Sequence, residues 1–385
     1  MNKWSIGPLK VVGEEEEYID HYIVIENKTI TDICPSNKIQ IDETCIQLDQ
    51  QFVAMPGMID QHIHGTHGAD VMDATSDSLQ VISNTLVRYG VTSFLATTLT
   101  ASADEIERSL QCVAQTKKEL TGAKLLGVHL EGPFIHAAQK GAQSASLIQS
   151  PSINMFQQFE SAANHEIKLI TMASELDEGQ QLSRYLKDQR IPISIGHSDA
   201  TYEQIMPLLN EGLIDCATHF SNGMRKIHHR EPGLQVALLQ SDCYLEIIAD
   251  GHHLHPHYIK WIINQVGIDR IILISDSMRA AGQPDGMYHL GDQKVILTEG
   301  ICKLVNGDSL AGSVLNLHVA RNNMKMLFGL TDLQLAKITS TNSAKLLNIY
   351  EYKGSLKAGK DADFYILDNN DNVVMTVIEG LIMKL

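Results

Sequence analysis

Hydrophobic positions gather into short, nearly continuous runs: Phe52 to Asp60, Thr92 to Thr97, Lys124 to Leu130, Ile167 to Ala173, Pro192 to Gly196, Ile214 to Thr218, Tyr244 to Ala249 and Arg270 to Ser275. Between them lie stretches with helical spacing, among them Asp77 to Tyr89, Asp104 to Leu120, Pro151 to Ala163 and Tyr202 to Leu209. A strand that shows no polar face is one buried on both sides. The alternation therefore predicts an α/β fold with a parallel sheet covered by helices. Eight such units closing into a (β/α)8 TIM barrel fit the length better than an open sheet.

A barrel alone takes roughly 250 residues, and the chain has 385. Val11-Val12 and Tyr22 to Ile30 precede the first run, while Gly354 to Leu367 and Val373 to Met383 follow the last helical stretch. All read as short strands with turn residues between them. The two ends are expected to pair into a small flanking β-sandwich, dividing the chain into 1–52, a barrel over 53–349, and 350–385.

Composition narrows the class. Hydrophobic residues at 44% and charged residues at 20% describe an ordinary globular chain. No apolar run approaches bilayer length, and the start of the chain lacks signal-peptide blocks, so the expected compartment is the cytoplasm. The six cysteines at 34, 45, 112, 216, 243 and 302 form no C-x-x-C pair, which fits buried, reduced thiols. A formal net charge of −16 disfavours nucleic acid and anionic membrane as partners. It still permits a phosphorylated small molecule, held by a few local cations and backbone N–H groups. The run Glu14 to Glu17 reads as a solvated loop.

The chemistry lies where the runs end. His62 and His64 stand two residues apart after the first run, so both emerge on one face and can grip one ion. Glu131 follows Val128-His129-Leu130 and precedes Gly132-Pro133; a carboxylate starting from a buried position needs a cation. His197 and His219 end two further runs. Either alone would more often be a hydrogen-bonded core histidine. Two imidazoles and a carboxylate from three strands make the three-ligand set of a catalytic divalent site, suited to zinc, iron or manganese. Asp276 ends the last run. It has the residue type of a helix cap and, in a metal hydrolase, of the base that takes a proton from water and returns it to a leaving amine. In Asp250 to His257, adjacent side chains point apart, so His255 and His257 are expected to begin a helix around Pro256 and not to join a metal cluster.

These segments, in this order, resemble the amidohydrolase superfamily, and within it the N-acetylglucosamine-6-phosphate deacetylases. The resemblance is carried by Pro56 to Gly65, His129 to Phe134, Gly196 to Ser198, Thr218 to Met224, Arg230 to Leu234, Ala249 to His253, Ser275-Asp276, Leu310 to Ser313 and Gly354 to Asp363. It implies Glu131, His197 and His219 as the main metal ligands, with a second ion at His62 and His64. It implies Asp276 as acid–base residue and His253 as donor to the amide carbonyl. Asn222, Gly223 and Arg230 would meet phosphate and sugar, while Leu310 and Ala311 line an acetyl pocket. The chain departs from the family pattern at Ala142-Gln143, where many members carry a histidine, and at Gly223, where alanine is usual. The expected reaction is removal of the N-acetyl group from an amino-sugar 6-phosphate, by a homodimer. The rival readings are an amidohydrolase acting on N-acetylgalactosamine 6-phosphate or an N-acyl amino acid, and an inactive barrel that only binds a sugar phosphate.

Overall fold

The computed structural model describes residues 3–40 and 44–385. Each apolar run supplies one strand of a parallel sheet: Met58–Ile63, Val91–Thr97, Lys124–Glu131, Ile167–Met172, Ile193–Ile195, Cys216–Ala217, Tyr244–Ile247 and Ile271–Leu273 pair in chain order. The first and last join at their C-terminal ends, where Ile63 bridges Ser277 and the Asp276 N–H donates to the His62 carbonyl at 2.9 Å. The sheet is thereby drawn into a barrel. A helix follows every strand, from Ser76–Val87 after the first to Leu317–Phe328 after the eighth.

Local chemistry sets the helix starts. Thr75 and Ser152 accept a backbone N–H of the first turn, and Ser102 and Thr201 form reciprocal capping boxes with Glu105 and Gln204. Pro256 opens the helix Pro256–Val266, with His255 accepting from the His257 N–H. Those two histidines thus serve a helix start, as expected.

The run Phe52 to Asp60 is two strands, not one. Val53–Pro56 pairs with Lys3–Val12 and Phe364–Leu367, and only Met58–Ile63 enters the barrel. Gly57 is the hinge, because a Cβ there would lie 2.1 Å from Thr92 Oγ1. Gly57→Ala is expected to destabilise the fold by about 1–3 kcal/mol, read from the urea midpoint; an unchanged midpoint would mean that Thr92 yields.

The chain ends build an eight-stranded sheet in the order Leu381–Ile382, Val373–Ile378, Phe364–Leu367, Val53–Pro56, Lys3–Val12, Glu17–Glu26 and Thr29–Pro35, with Cys45–Gln47 also against Lys3–Val12. The expected strand Tyr22 to Ile30 is broken by a tight turn at Asn27, whose φ is 56°. The sheet curls back on itself: the Ile30 N–H donates to Lys360 and its carbonyl accepts from Gly359, both at 2.8 Å. Ile6, Leu9, Ile23, Ile25, Phe364 and Ile366 fill the core so enclosed.

One element escaped the sequence reading. Gly286–Leu290, Gln293–Thr298 and Ile301–Leu304 form a three-stranded antiparallel sheet between the eighth strand and its helix. Leu290, Val295, Leu297 and Cys302 pack with Leu99, Met278 and Ala311 beside the barrel mouth. No helix among the described residues is long and apolar enough to cross a membrane.

Candidate metal centre and cavity

The barrel converges its polar strand ends on one point. Glu131 is the last residue of its strand, and His62 lies inside the first strand with His64 just beyond it; all three are buried. His197, His219 and Asp276 each follow a short strand at positive φ, 47°, 32° and 47°. That region costs a non-glycine residue of order 1–3 kcal/mol and persists where the surroundings over-determine it. Here the Asp276 carbonyl accepts from Ser313 at 2.7 Å while its N–H is held by His62.

Glu131 divides the centre in two. Its Oε1 lies 2.9 Å from His197 Nε2 and 3.3 Å from His219 Nε2, and those two nitrogens are 3.1 Å apart. Its Oε2 lies 3.1 Å from His64 Nε2 and 3.6 Å from His62 Nε2, both of which are 3.4 Å from Asp276 Oδ1.

These contacts test whether the residues fit a cation. His197 Nδ1 faces the Gln139 carbonyl at 2.8 Å, and His219 Nδ1 faces that of Asn222 at 3.1 Å. Carbonyls only accept, so both rings carry their proton on Nδ1 and turn Nε2 lone pairs toward each other and toward a carboxylate. Such second partners fix the tautomer of metal-binding histidines. His62 Nε2 is buried without a hydrogen-bond partner. Burial opposes charge on His64, yet hydrogen bonds that it donates to Asp276 and Glu131 push its pKa up to about 9. Burial likewise opposes charge on Asp276, but His62 and His64 hold its pKa at about 2. The pocket demands positive charge, and the donor set suits a divalent ion.

A cavity of about 260 Å³ opens on this centre, and His64, Glu131, His197, His219 and Asp276 form its floor. Ala142, Gln143, Asn222, Gly223, His253 and Leu310 are among the residues of its wall. His253 Nδ1 donates to Asp250 Oδ2 at 2.6 Å. Burial opposes its charge, but Asp250 and Asp276 raise its pKa above the ordinary 6.5. Gln143 donates to His197 Nε2 at 3.1 Å and accepts from the Thr100 N–H at 3.0 Å. Two expected residues stand apart from this wall. Ala311 is fully buried in the core behind Leu310, and Arg230 is exposed, donating to His229 Nε2 at 2.9 Å.

Glu246 went unnoticed in the sequence. It lies within the strand Tyr244–Ile247, fully buried, with Oε2 3.0 Å from His62 Nδ1. A charged residue inside an otherwise apolar run was the available signal.

The amidohydrolase family model matches residues 53–383. The N-acetylglucosamine-6-phosphate deacetylase of Bacillus subtilis (strain 168) is 37% identical, over 97% of this chain and 96% of its own. The N-acetylgalactosamine-6-phosphate deacetylase of Escherichia coli O157:H7 is 35% identical, over 96% of this chain and 97% of its own. Among solved structures, an aspartate-to-alanine mutant of N-acetyl-D-glucosamine-6-phosphate deacetylase from Mycobacterium smegmatis, in complex with N-acetyl-D-glucosamine-6-phosphate, superposes with a TM-score of 0.92 at 25% identity, covering 100% of both chains. In sequence and in fold, this chain belongs to the amidohydrolase family.

Proposed function

We propose that this chain hydrolyses the N-acetyl group of N-acetyl-D-glucosamine 6-phosphate, yielding D-glucosamine 6-phosphate and acetate in amino-sugar catabolism. The observation that carries the reading is the meeting of Glu131, His197 and His219 lone pairs beside Asp276 at the floor of the cavity. A complete ligand set with an adjacent base argues for a working hydrolase over an inactive binding barrel.

Glu131, His197 and His219 would hold the principal divalent ion, zinc, iron or manganese, and His62 and His64 a second one against Glu131 Oε2. When bound, the ion supplies Lewis acidity and lowers the pKa of water from roughly 15.7 toward about 7. Asp276 takes the proton of the water that attacks the acetyl carbon. It then returns that proton to the nitrogen as the C–N bond breaks. His253, oriented by Asp250 and biased toward its protonated form, donates to the amide oxygen, where negative charge develops.

Asn222, Gly223 and Arg230 recognise the sugar phosphate, Arg by its planar fork of donors. Ala142 and Gln143 border the sugar, and Leu310, backed by Ala311, meets the acetyl methyl. We place the enzyme in the cytoplasm, in keeping with six free cysteines. We assign it a homodimeric state with Arg230, exposed on its loop, near the subunit boundary.

The test is acetate release from N-acetylglucosamine, N-acetylgalactosamine and their 6-phosphates, with and without chelator. N-acetylglucosamine 6-phosphate is expected to be the best substrate. Chelation should abolish turnover, and one of the three metals should restore it. Preference for the galactose epimer would select the second reading, to which the 35% identical relative points. Chelator-resistant turnover would overturn both.

A further inference from the structure

We propose that Glu246 is a positioning residue that fixes His62 as an Nε2 ligand and so governs whether the His62–His64 half of the centre holds its own ion. This rests on the metal-centre reading above. Strand alternation turns Glu246 inward between Leu245 and Ile247. The interior of such barrels is normally packed with branched apolar side chains, and an unpaired buried carboxylate costs several kcal/mol. Glu246 has neither Lys nor Arg as a hydrogen-bond or salt-bridge partner among the described residues; its side chain is met by Gln61 and by two histidines of the centre.

Glu246 Oε1 accepts from Gln61 Nε2 at 2.7 Å. Its Oε2 lies 3.0 Å from His62 Nδ1 and accepts from the His219 N–H at 3.2 Å. A carboxylate at Nδ1 keeps the proton there and leaves Nε2 with its lone pair, aimed at Glu131 and Asp276. The same oxygen steadies the backbone of His219, whose φ is 32°. One carboxylate on the seventh strand thus grips a histidine from each half of the centre, across the barrel interior.

His62, His129 and Glu246 also lie close enough to suggest a metal cluster of their own. The hydrogen bonds exclude it. His129 engages the Gln61 carbonyl through Nδ1 at 3.0 Å and Thr171 Oγ1 through Nε2 at 2.7 Å. No nitrogen of that ring is left to coordinate.

Glu246→Gln keeps the shape and removes the charge, so its amide can equally offer an N–H to His62 Nδ1 and move the ring proton to Nε2. Metal-free wild type and variant are titrated with zinc, with stoichiometry from elemental analysis and folding checked by circular dichroism. Wild type is expected to bind two ions, and E246Q to weaken the ion at His62 and His64 by roughly 10–100-fold, with a smaller effect on the other ion, which loses only the hydrogen bond to the His219 N–H. Two ions bound by E246Q with wild-type affinity would overturn the proposal, as would a wild type that takes up only one. A wild type that binds none removes the metal centre itself, a distinguishable result. Should E246Q fail to fold, nitrogen-15 NMR of histidine-labelled, zinc-loaded wild type decides: Nδ1 of His62 protonated supports the role, and Nδ1 metallated refutes it.

Discussion

Glu131→Gln is expected to leave the purified protein without tightly bound divalent metal and to lower kcat by about a thousandfold or more. Glu131 faces both halves of the centre, Oε1 toward His197 and His219 and Oε2 toward His62 and His64. An amide keeps one carbonyl oxygen and replaces the other with a donor, which points N–H groups at whichever half it faces. The Lewis acid so lost is worth several kcal/mol of transition-state stabilisation, at 1.36 kcal/mol per factor of ten. Elemental analysis of the variant together with acetate release checks both parts. A variant that keeps its metal and more than a tenth of wild-type turnover would deny Glu131 a ligand's role.

Asp276→Asn should behave differently. The proposed principal ligands Glu131, His197 and His219 remain, so metal at that half and substrate binding are expected to persist, while kcat falls by about 10²–10⁴, the range for loss of a positioned acid–base group. Burial alone would favour a neutral Asp276, but His62 and His64 hold its pKa at about 2. The carboxylate is thus ionised in the metal-free centre and keeps an oxygen lone pair that can take a proton, which an amide lacks. Substrate binding to the variant by calorimetry, beside its turnover, separates the roles. Equal losses in binding and in kcat would make Asp276 a structural residue and not the base.

The barrel was legible because its strands are buried on both faces and leave an unbroken apolar signature. The same property hid the break at Gly57. Val53–Pro56 and Met58–Ile63 are buried in different sheets, yet in sequence they run together. The ligands were legible as polar residues ending apolar runs, and the structure brings His62, His64, Glu131, His197, His219 and Asp276 to one point. Glu246 was not, since its role exists only once the first and seventh strands face each other across the interior. The small sheet by the mouth did leave a trace, the apolar run Val295-Ile296-Leu297 between glycines at 291 and 300. It lies between the eighth strand and its helix, outside the alternation of apolar runs and helical stretches from which the barrel was read. Arg230 shows the opposite limit: its motif is plain in sequence, while one chain alone leaves its guanidinium outside the cavity wall.

The outer sheet has a consequence for biosynthesis. Val53–Pro56 lies between Lys3–Val12, translated before the barrel, and Phe364–Leu367, translated after it. On the ribosome its far edge therefore waits, unpaired, while the whole barrel is translated. Exposed strand edges recruit other chains, so the nascent protein carries a risk of misassembly until Phe364–Leu367 emerges, and a chain cut short of that strand would keep the edge open for good.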